Sequence, residues 1–171
     1  MKRRAAVFVT VPADALVGAF RLRHQPRAVV RLLPPHITVI PPFARDVSPD
    51  GPLEAALAAH FAGFPGFGAE LTRVGRFERH VWLAPDPHEE FVRLVSDSRR
   101  RFPDLFRDDD REPVPHLTIA EIGKGESTAR VVRLAEDELA ARLPFRFEVR
   151  EVGLWDVGPE GWHELRRFGL G

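Results

Sequence analysis

Apolar residues along this chain recur with two different spacings, and turn-forming residues separate the segments. A period of two predicts strands, whereas a period near 3.6 predicts helices. The apolar run at residues 6–11 predicts a buried strand, after which Pro12 and Asp14 begin a helix. The inward face of this helix is predicted to hold Leu16, Ala19 and Phe20.

The same reading extends to the rest of the chain. Strands are predicted at residues 6–11, 32–40, 67–74, 77–83, 115–122, 145–149 and 162–168. Pro41 and Pro42 are expected to end the second of these strands, and a bulge is expected near Arg150 and Glu151. Further helices are predicted after the turn at 48–52, after Pro87, and from a cap at Ser127 or Thr128 through Leu139.

A strand, a helix and a second strand follow one another twice along the chain, which indicates an internal duplication. No linker or low-complexity segment separates the two copies. The 171 residues suffice for one well-packed domain and are too few for two ordinary ones. We therefore predict a single domain covering residues 1–171.

Two short segments in the repeated strands have nearly the same sequence. Residues 35–39 and 115–119 both contain His-x-Thr, with an apolar residue after the His and another after the Thr. Side chains alternate between the two faces of a strand, so His36 and Thr38 share one face, as do His116 and Thr118. Each strand thus buries an apolar face and presents an imidazole and a hydroxyl, roughly 6.6 Å apart, on the other face.

These paired motifs resemble those of the 2H phosphoesterase superfamily, in its 2′-5′ RNA ligase-like branch. Both segments match the His-x-Ser/Thr-apolar pattern of that family, and eighty residues separate His36 from His116. The resemblance implies an α+β fold with two pseudo-symmetric antiparallel β-sheet lobes, outer helices and a central cleft. Each lobe would supply one motif.

The resemblance also implies a chemistry. His36 would act as the general acid that protonates the leaving sugar oxygen, and His116 would act as the base that activates water. Thr38 and Thr118 would hold the phosphate. The implied reaction is metal-independent hydrolysis of a 2′,3′-cyclic phosphate at an RNA or nucleotide end to a 2′-phosphate, together with reversible 2′-5′ ligation. Two imidazoles suit this task because their ordinary pKa, about 6.5, lets both protonation states exist near neutral pH.

One residue departs from the family pattern. Many members have Arg or Lys at the position of Glu121, where this chain would place a negative charge near the pocket. The arginines that could compensate are Arg45, Arg76, Arg79 and Arg146. Two alternatives therefore stay open: an enzyme for a cyclic phosphate on a small molecule, such as an ADP-ribose derivative, and a protein that binds RNA ends with little turnover.

Aromatic residues are the candidates for stacking on a base. The chain has no tyrosine, so Phe43 and Trp155 are predicted to bind substrate, with Trp82 as a further candidate. Four of the five histidines outside the motifs, at positions 60, 80, 88 and 163, are predicted at the surface or as caps, and Asp108–Asp110 as a solvated loop. The motifs offer one ligand per strand with no matching carboxylates, so neither a metal nor a cofactor is expected.

Charge and composition limit the classes of molecule that this protein is expected to bind. The 25 basic and 25 acidic residues give a formal net charge of zero, which favours a small or terminal phosphate over a long nucleic acid. The chain has no cysteine, and Pro12 and Asp14 interrupt its N-terminal apolar run too early for a signal peptide. No stretch is long enough to span a membrane. We expect a cytoplasmic monomer.

Overall fold

Strands and helices alternate through the chain in a computed structural model that describes residues 4–107 and 111–171. The strands are β1 (Arg4–Thr10), β2 (His36–Ala44), β3 (Phe67–Arg76), β4 (His80–Asp86), β5 (Leu117–Glu121), β6 (Phe145–Val149), β7 (Glu151–Gly158) and β8 (Gly161–Gly169). The α-helices are α1 (Asp14–His24), α2 (Pro26–Val30), α3 (Pro52–Phe61), α4 (His88–Arg101) and α5 (Thr128–Leu139). The predicted loop at Asp108–Asp110 lies outside the described residues. No helix in the described segments has the length and apolar content needed to cross a bilayer.

The strands form two four-stranded antiparallel sheets. The first has the order β2-β1-β7-β8 and the second β5-β4-β3-β6. Each motif therefore lies on or beside the edge strand of its sheet, paired to the strand that precedes it in the chain. The predicted α+β architecture with two sheets and covering helices is confirmed.

The helices that connect the paired strands cross to the opposite sheet. Helix α1 joins β1 to β2 but packs against β5, whereas α4 joins β4 to β5 but packs against β2. The inward face of α1 consists of Leu16, Val17 and Phe20. The prediction that Ala19 belongs to this face is wrong, because Ala19 is exposed on the side of the helix turned away from those residues. Apolar side chains from both sheets and these helices form one continuous core.

The first motif strand differs from its prediction at both ends. It begins at His36, because Leu32 adopts a left-handed turn conformation (φ 59°) after the unpredicted helix α2. It also continues through Pro41 and Pro42 to Ala44 instead of ending there. Proline is tolerated because β2 is an edge strand, and the pairing with β1 shifts by one residue at the prolines.

The predicted bulge near Arg150 is also wrong. Strand β6 ends at Val149 and β7 begins at Glu151, and these strands belong to different sheets. The change in the apolar pattern therefore marks the crossing of the chain from the second sheet to the first. By contrast, the predicted helix cap is confirmed, since Ser127 Oγ accepts a hydrogen bond of 3.3 Å from the Arg130 amide.

Both motif strands have a bulge directly after the motif threonine. In β2, Thr38 pairs with Phe8 and Ile40 with Val7, which leaves Val39 as the extra residue. In β5, Thr118 pairs with Trp82 and Ala120 with Val81, which leaves Ile119 as the extra residue. A bulge lets two consecutive side chains enter the core, and the residue pairs after both threonines are indeed buried. The repeated motif thus comes with a repeated backbone distortion.

A glycine makes room for the large side chain that faces the second motif. Gly75 pairs with Trp82, and a Cβ at Gly75 would lie 2.4 Å from the indole ring. We expect Gly75→Ala to displace the ring and to lower the free energy of unfolding by about 1–3 kcal/mol, measured by denaturant titration.

Gly68→Ala is the matched control for this substitution. Gly68 lies on the same strand, and its added Cβ would come only within 3.4 Å of the flexible Glu148 carboxylate. We expect a change within about 0.5 kcal/mol. Equal losses in the two variants would contradict the steric argument.

Candidate active site

The two motif histidines are held in the same way. His36 Nδ1 lies 2.8 Å from the Pro34 carbonyl oxygen, and His116 Nδ1 lies 2.7 Å from the Val114 carbonyl oxygen. In each case the partner is the backbone two residues earlier. A carbonyl oxygen only accepts hydrogen bonds, so each Nδ1 carries a proton and each neutral ring keeps its Nε2 lone pair for proton transfer.

Aromatic rings pack against both imidazoles, from the neighbouring strand and, for Phe77, from the connection between β3 and β4. The His36 ring lies 4.3 Å from the Phe8 ring between centroids. The His116 ring lies 4.9 Å from Phe77 and 5.9 Å from Trp82. Phe8 and Trp82 occupy equivalent positions, since each pairs with the threonine of its motif. The two halves of the site therefore share both backbone and packing geometry.

The fold brings the two motifs together. Thr38 and His116 line one crevice of about 180 Å³, which also contacts the end of α4. Strands β2 and β5 approach each other there without pairing. His36 and Thr118 lie on the same strand faces as these residues, two positions along their motifs. The structure thus brings Thr38 and His116 to one crevice where the two edge strands approach each other, and the joint role of the four motif residues stays a prediction.

The environment keeps both imidazoles neutral at neutral pH. Burial lowers the pKa of His36 to about 4; the hydrogen bond to Pro34 partly opposes this shift, and the charges of Arg21 and His116 add to it. Burial also lowers the pKa of His116, against the hydrogen bond to Val114 and together with the charge of His80. Because the charge on one motif histidine lowers the pKa of the other, the two rings are close enough to interact electrostatically.

The sequence matches a family model over most of its length. The model describes the 2′-5′ RNA ligase superfamily and matches residues 9–159. The chain belongs to this superfamily. Its two His-x-Thr segments both lie inside the matched region, and the 2H phosphoesterase family expected from the motifs is confirmed.

Solved structures of this superfamily share the fold. Escherichia coli LigT in complex with 3′-AMP is 20% identical, with a TM-score of 0.65 and 99% of both chains covered. A crystal structure of LigT with NADP+ has 20% identity, a TM-score of 0.61, and 99% and 98% coverage of this chain and of LigT. The Thermus thermophilus protein TT0787 has 20% identity, a TM-score of 0.63, and 98% and 97% coverage. At these identities the likeness establishes the fold, and no curated protein matches the sequence significantly.

In this 2′-5′ RNA ligase superfamily member, the aromatic candidates have different surroundings. Trp155 is partly exposed and stacks on Phe8 at 5.0 Å, so it reaches the His36 ring through one intervening ring. Trp82 is buried against His116. Phe43 is 7% exposed and belongs to the apolar core, so its ring has no open face for the predicted stacking on a base.

Sequence reasoning missed Phe8, whose ring packs against His36, and Trp162, whose ring meets Phe8 edge to face at 6.3 Å. Phe8 alternates with the core residues Val7 and Val9, a pattern that already puts it on the face of β1 that neighbours His36. The main apolar core accordingly includes both valines but not Phe8. Trp162 carries no comparable signal in the sequence.

The predicted compensating arginines lie elsewhere. Arg146 is 86% exposed and pairs with Glu70, and Arg79 donates to the Ile122 carbonyl. Arg45 and Arg76 are exposed, and none of the four is among the described residues lining the crevice. The arginine that does line it is Arg99, near the end of α4.

The predictions for the other charged and titratable residues have different outcomes. Glu121 is exposed at the end of β5, where it pairs with the equally exposed His80 across the sheet. His88 and His163 are exposed as predicted. The prediction for His60 is wrong: its Nε2 lies 3.1 Å from Ser98 Oγ, and its ring packs against three phenylalanines between the helices.

Proposed function

We propose that this protein hydrolyses 2′,3′-cyclic phosphates at RNA or nucleotide ends to 2′-phosphates. The observation that supports this most directly is the duplicated His-x-Thr site, in which both imidazoles make the same Nδ1 hydrogen bond to the backbone and one residue of each motif, Thr38 and His116, lines a shared crevice. Opening a cyclic phosphodiester needs a base for the attacking water and an acid for the leaving oxygen. Two identically oriented imidazoles supply one group for each task.

The proposed step assigns the roles that the family resemblance implies. His116 Nε2 takes a proton from water while the water oxygen bonds to phosphorus. The bond from phosphorus to the 3′ oxygen breaks, and His36 gives that oxygen its proton. The hydroxyls of Thr38 and Thr118 donate hydrogen bonds to the phosphoryl oxygens. The same step with a 5′-hydroxyl in place of water would form a 2′-5′ linkage, and the reverse of that step, in which the 3′ oxygen attacks phosphorus and the 5′ oxygen leaves, would cleave the linkage back to the cyclic phosphate.

Substrate binding completes the protonation state that this scheme requires. His36 is neutral in the free protein at pH 7, whereas the acid role needs a protonated ring. A cyclic phosphate carries one negative charge, and a negative charge close to an imidazole raises its pKa. The anion therefore recruits the proton that is later transferred to the leaving oxygen.

A nucleotide is the favoured substrate class. Trp155 offers a partly exposed ring in a cavity of about 530 Å³ that also includes Thr10, the strand partner of His36. Base stacking on such a ring needs no particular sequence. The complex of LigT with 3′-AMP supports this assignment by likeness.

A small-molecule cyclic phosphate is the second candidate. The formal net charge of zero provides no broad basic surface for a long RNA. LigT has also been crystallised with NADP+ and with ATP. A derivative of ADP-ribose would fit the same phosphate chemistry.

Turnover assays separate these possibilities. We expect the purified protein, in the presence of a chelator, to convert nucleoside 2′,3′-cyclic phosphates and short RNAs with cyclic ends into 2′-phosphates. Faster turnover of an ADP-ribose cyclic phosphate would favour the small-molecule candidate. Tight binding of RNA ends without turnover of any substrate would overturn the enzyme proposal in favour of a binding protein, and a 3′-phosphate product would reverse the choice of leaving oxygen.

A further inference from the structure

We propose that Arg99 binds the phosphoryl oxygens of the substrate held between the two motifs. Arg99 belongs to α4 and not to either motif strand. The inference rests on the proposed function, because it assigns a partner to the phosphate of that same site. It identifies a substrate-binding residue that the motif pattern does not contain.

The position of Arg99 is the first reason. It lines the crevice that holds Thr38 and His116, and it also lines an adjoining recess of about 370 Å³ with His116 and Phe77. The two hollows meet at the His116 side of the site. A guanidinium shared by both can reach a phosphate bound beside that imidazole.

The guanidinium of Arg99 is anchored but incompletely satisfied. Its Cζ atom lies 5.4 Å from the centre of the Phe106 ring, and Nη1 donates a 3.2 Å hydrogen bond to the Arg111 carbonyl. Its Nε is buried, yet it has no hydrogen-bond partner among residues 4–107 and 111–171. Buried donors are normally paired, so an unpaired one beside a cavity indicates an acceptor that arrives with a ligand.

Two neighbouring arginines on the same helix already have ion-pair partners. Arg93 forms an ion pair with Glu90, and Arg100 forms one with Asp97. No ion pair of Arg99 occurs in the part of the chain that the structure describes. Arg101 also lacks a carboxylate among the described residues, but its Cζ atom lies over the Phe102 ring, so Arg99 is the α4 arginine that both lines the crevice and has no ion pair there.

The crevice needs a fixed positive charge. With both imidazoles neutral in the free protein, a substrate anion would meet no charge from the motifs themselves. Arg21 affects His36 electrostatically, but it is 3% exposed, and its Nε and Nη2 donate to Gln25 and to the Leu33 carbonyl. A planar guanidinium suits a phosphate because it can donate two parallel hydrogen bonds.

The test measures ligand affinity and does not require turnover. Calorimetric titration of Arg99→Ala with inorganic phosphate and with a nucleoside 2′-monophosphate should show affinity about tenfold to a hundredfold weaker than in the unchanged protein. Affinity for the uncharged nucleoside should not change. Arg99→Lys should recover only part of the phosphate affinity, because lysine keeps the positive charge but cannot donate the two parallel hydrogen bonds of a guanidinium.

Arg100→Ala is the control, since it removes the same charge from the exposed side of α4. Unchanged phosphate affinity in Arg99→Ala would overturn the inference, as would equal losses for phosphate and nucleoside, which indicate only a structural role. If Arg99→Ala does not fold, the phosphate affinities of Arg99→Lys and Arg99→Gln are compared instead. Equal affinities in these two variants would overturn the inference. If the Arg99 variants turn over cyclic phosphate with the KM of the unchanged protein, the role of Arg99 is refuted and the proposed function stands. If the unchanged protein itself shows no turnover, the proposed function is refuted.

Discussion

Replacing either motif histidine by alanine should nearly abolish turnover of a nucleoside 2′,3′-cyclic phosphate. We expect kcat/KM to fall about 10²–10⁴-fold for His36→Ala and for His116→Ala, because each change removes one of the two proton-transfer groups. The double variant should be little worse than the single ones, since groups that act in one concerted step are not additive. Steady-state rates with one cyclic nucleotide measure all three.

His88→Ala provides the matched control for these variants. His88 is exposed at the start of α4, so its removal should leave the rate within about twofold of the original, as is usual for surface positions. Circular dichroism should show that every variant is folded. Full activity in a folded His36→Ala variant would remove His36 from the chemistry and leave His116 without its partner.

The second large effect should appear in the pH dependence of kcat/KM. This parameter reports the free protein, in which burial lowers the pKa of His36 to about 4 and lowers the pKa of His116 from its ordinary 6.5. One ring must be protonated and the other neutral, so the active form is most abundant between the two values. We expect an optimum between pH 4 and 6.5, with activity falling about tenfold per pH unit beyond either limb.

The shape of this pH profile of kcat/KM can be contradicted by measurement. On the acidic side activity falls because both rings are protonated and no base remains, and on the alkaline side it falls because both rings are neutral and no acid remains. The optimum of kcat should lie at higher pH than that of kcat/KM, because the bound anion raises both imidazole pKa values. A kcat/KM that continued to rise above pH 7 would show that the rings are not desolvated as described. Exchanging the acid and base roles would leave the shape of the curve unchanged.

Much of the motif geometry could be predicted from local sequence. Alternation in the strands put His36 and Thr38 on one face and Ile37 on the other, and the structure agrees. The bulges at Val39 and Ile119 could not be predicted, because they depend on pairing with β1 and β4 and neither residue is a glycine. The repeated bulge becomes visible only when the pairing of β2 with β1 is compared with the pairing of β5 with β4.

The error at Phe43 has a specific origin. Ending the strand at Pro41 and Pro42 removed the periodicity that would have assigned Phe43 to the core. Proline excludes a residue from the interior of a sheet but not from the outer side of an edge strand, and sequence alone did not identify β2 as an edge. A strand continued to Ala44 carries Phe43 onto the buried side.

Arg99 illustrates what sequence could not supply. It precedes His116 on a helix whose polar positions all resemble a solvated surface, and three arginines occur there in succession. Its approach to Thr38 follows from the packing of α4 against the first sheet, which is a long-range property. The sequence of a single chain contains no periodic pattern that predicts such a contact.

The expected monomeric state and cytoplasmic location stay predictions.

The crossing of α1 and α4 has a mechanical consequence. Each motif strand is backed by a helix that belongs, in chain order, to the other half of the molecule. A hinge motion that parted the halves would expose both hydrophobic interiors at once, so the distance between the imidazoles is set as rigidly as the core itself. Ligand entry must then depend on side chains and connecting loops at the rim, and neither half should fold alone if the polypeptide is cut between α3 and β3.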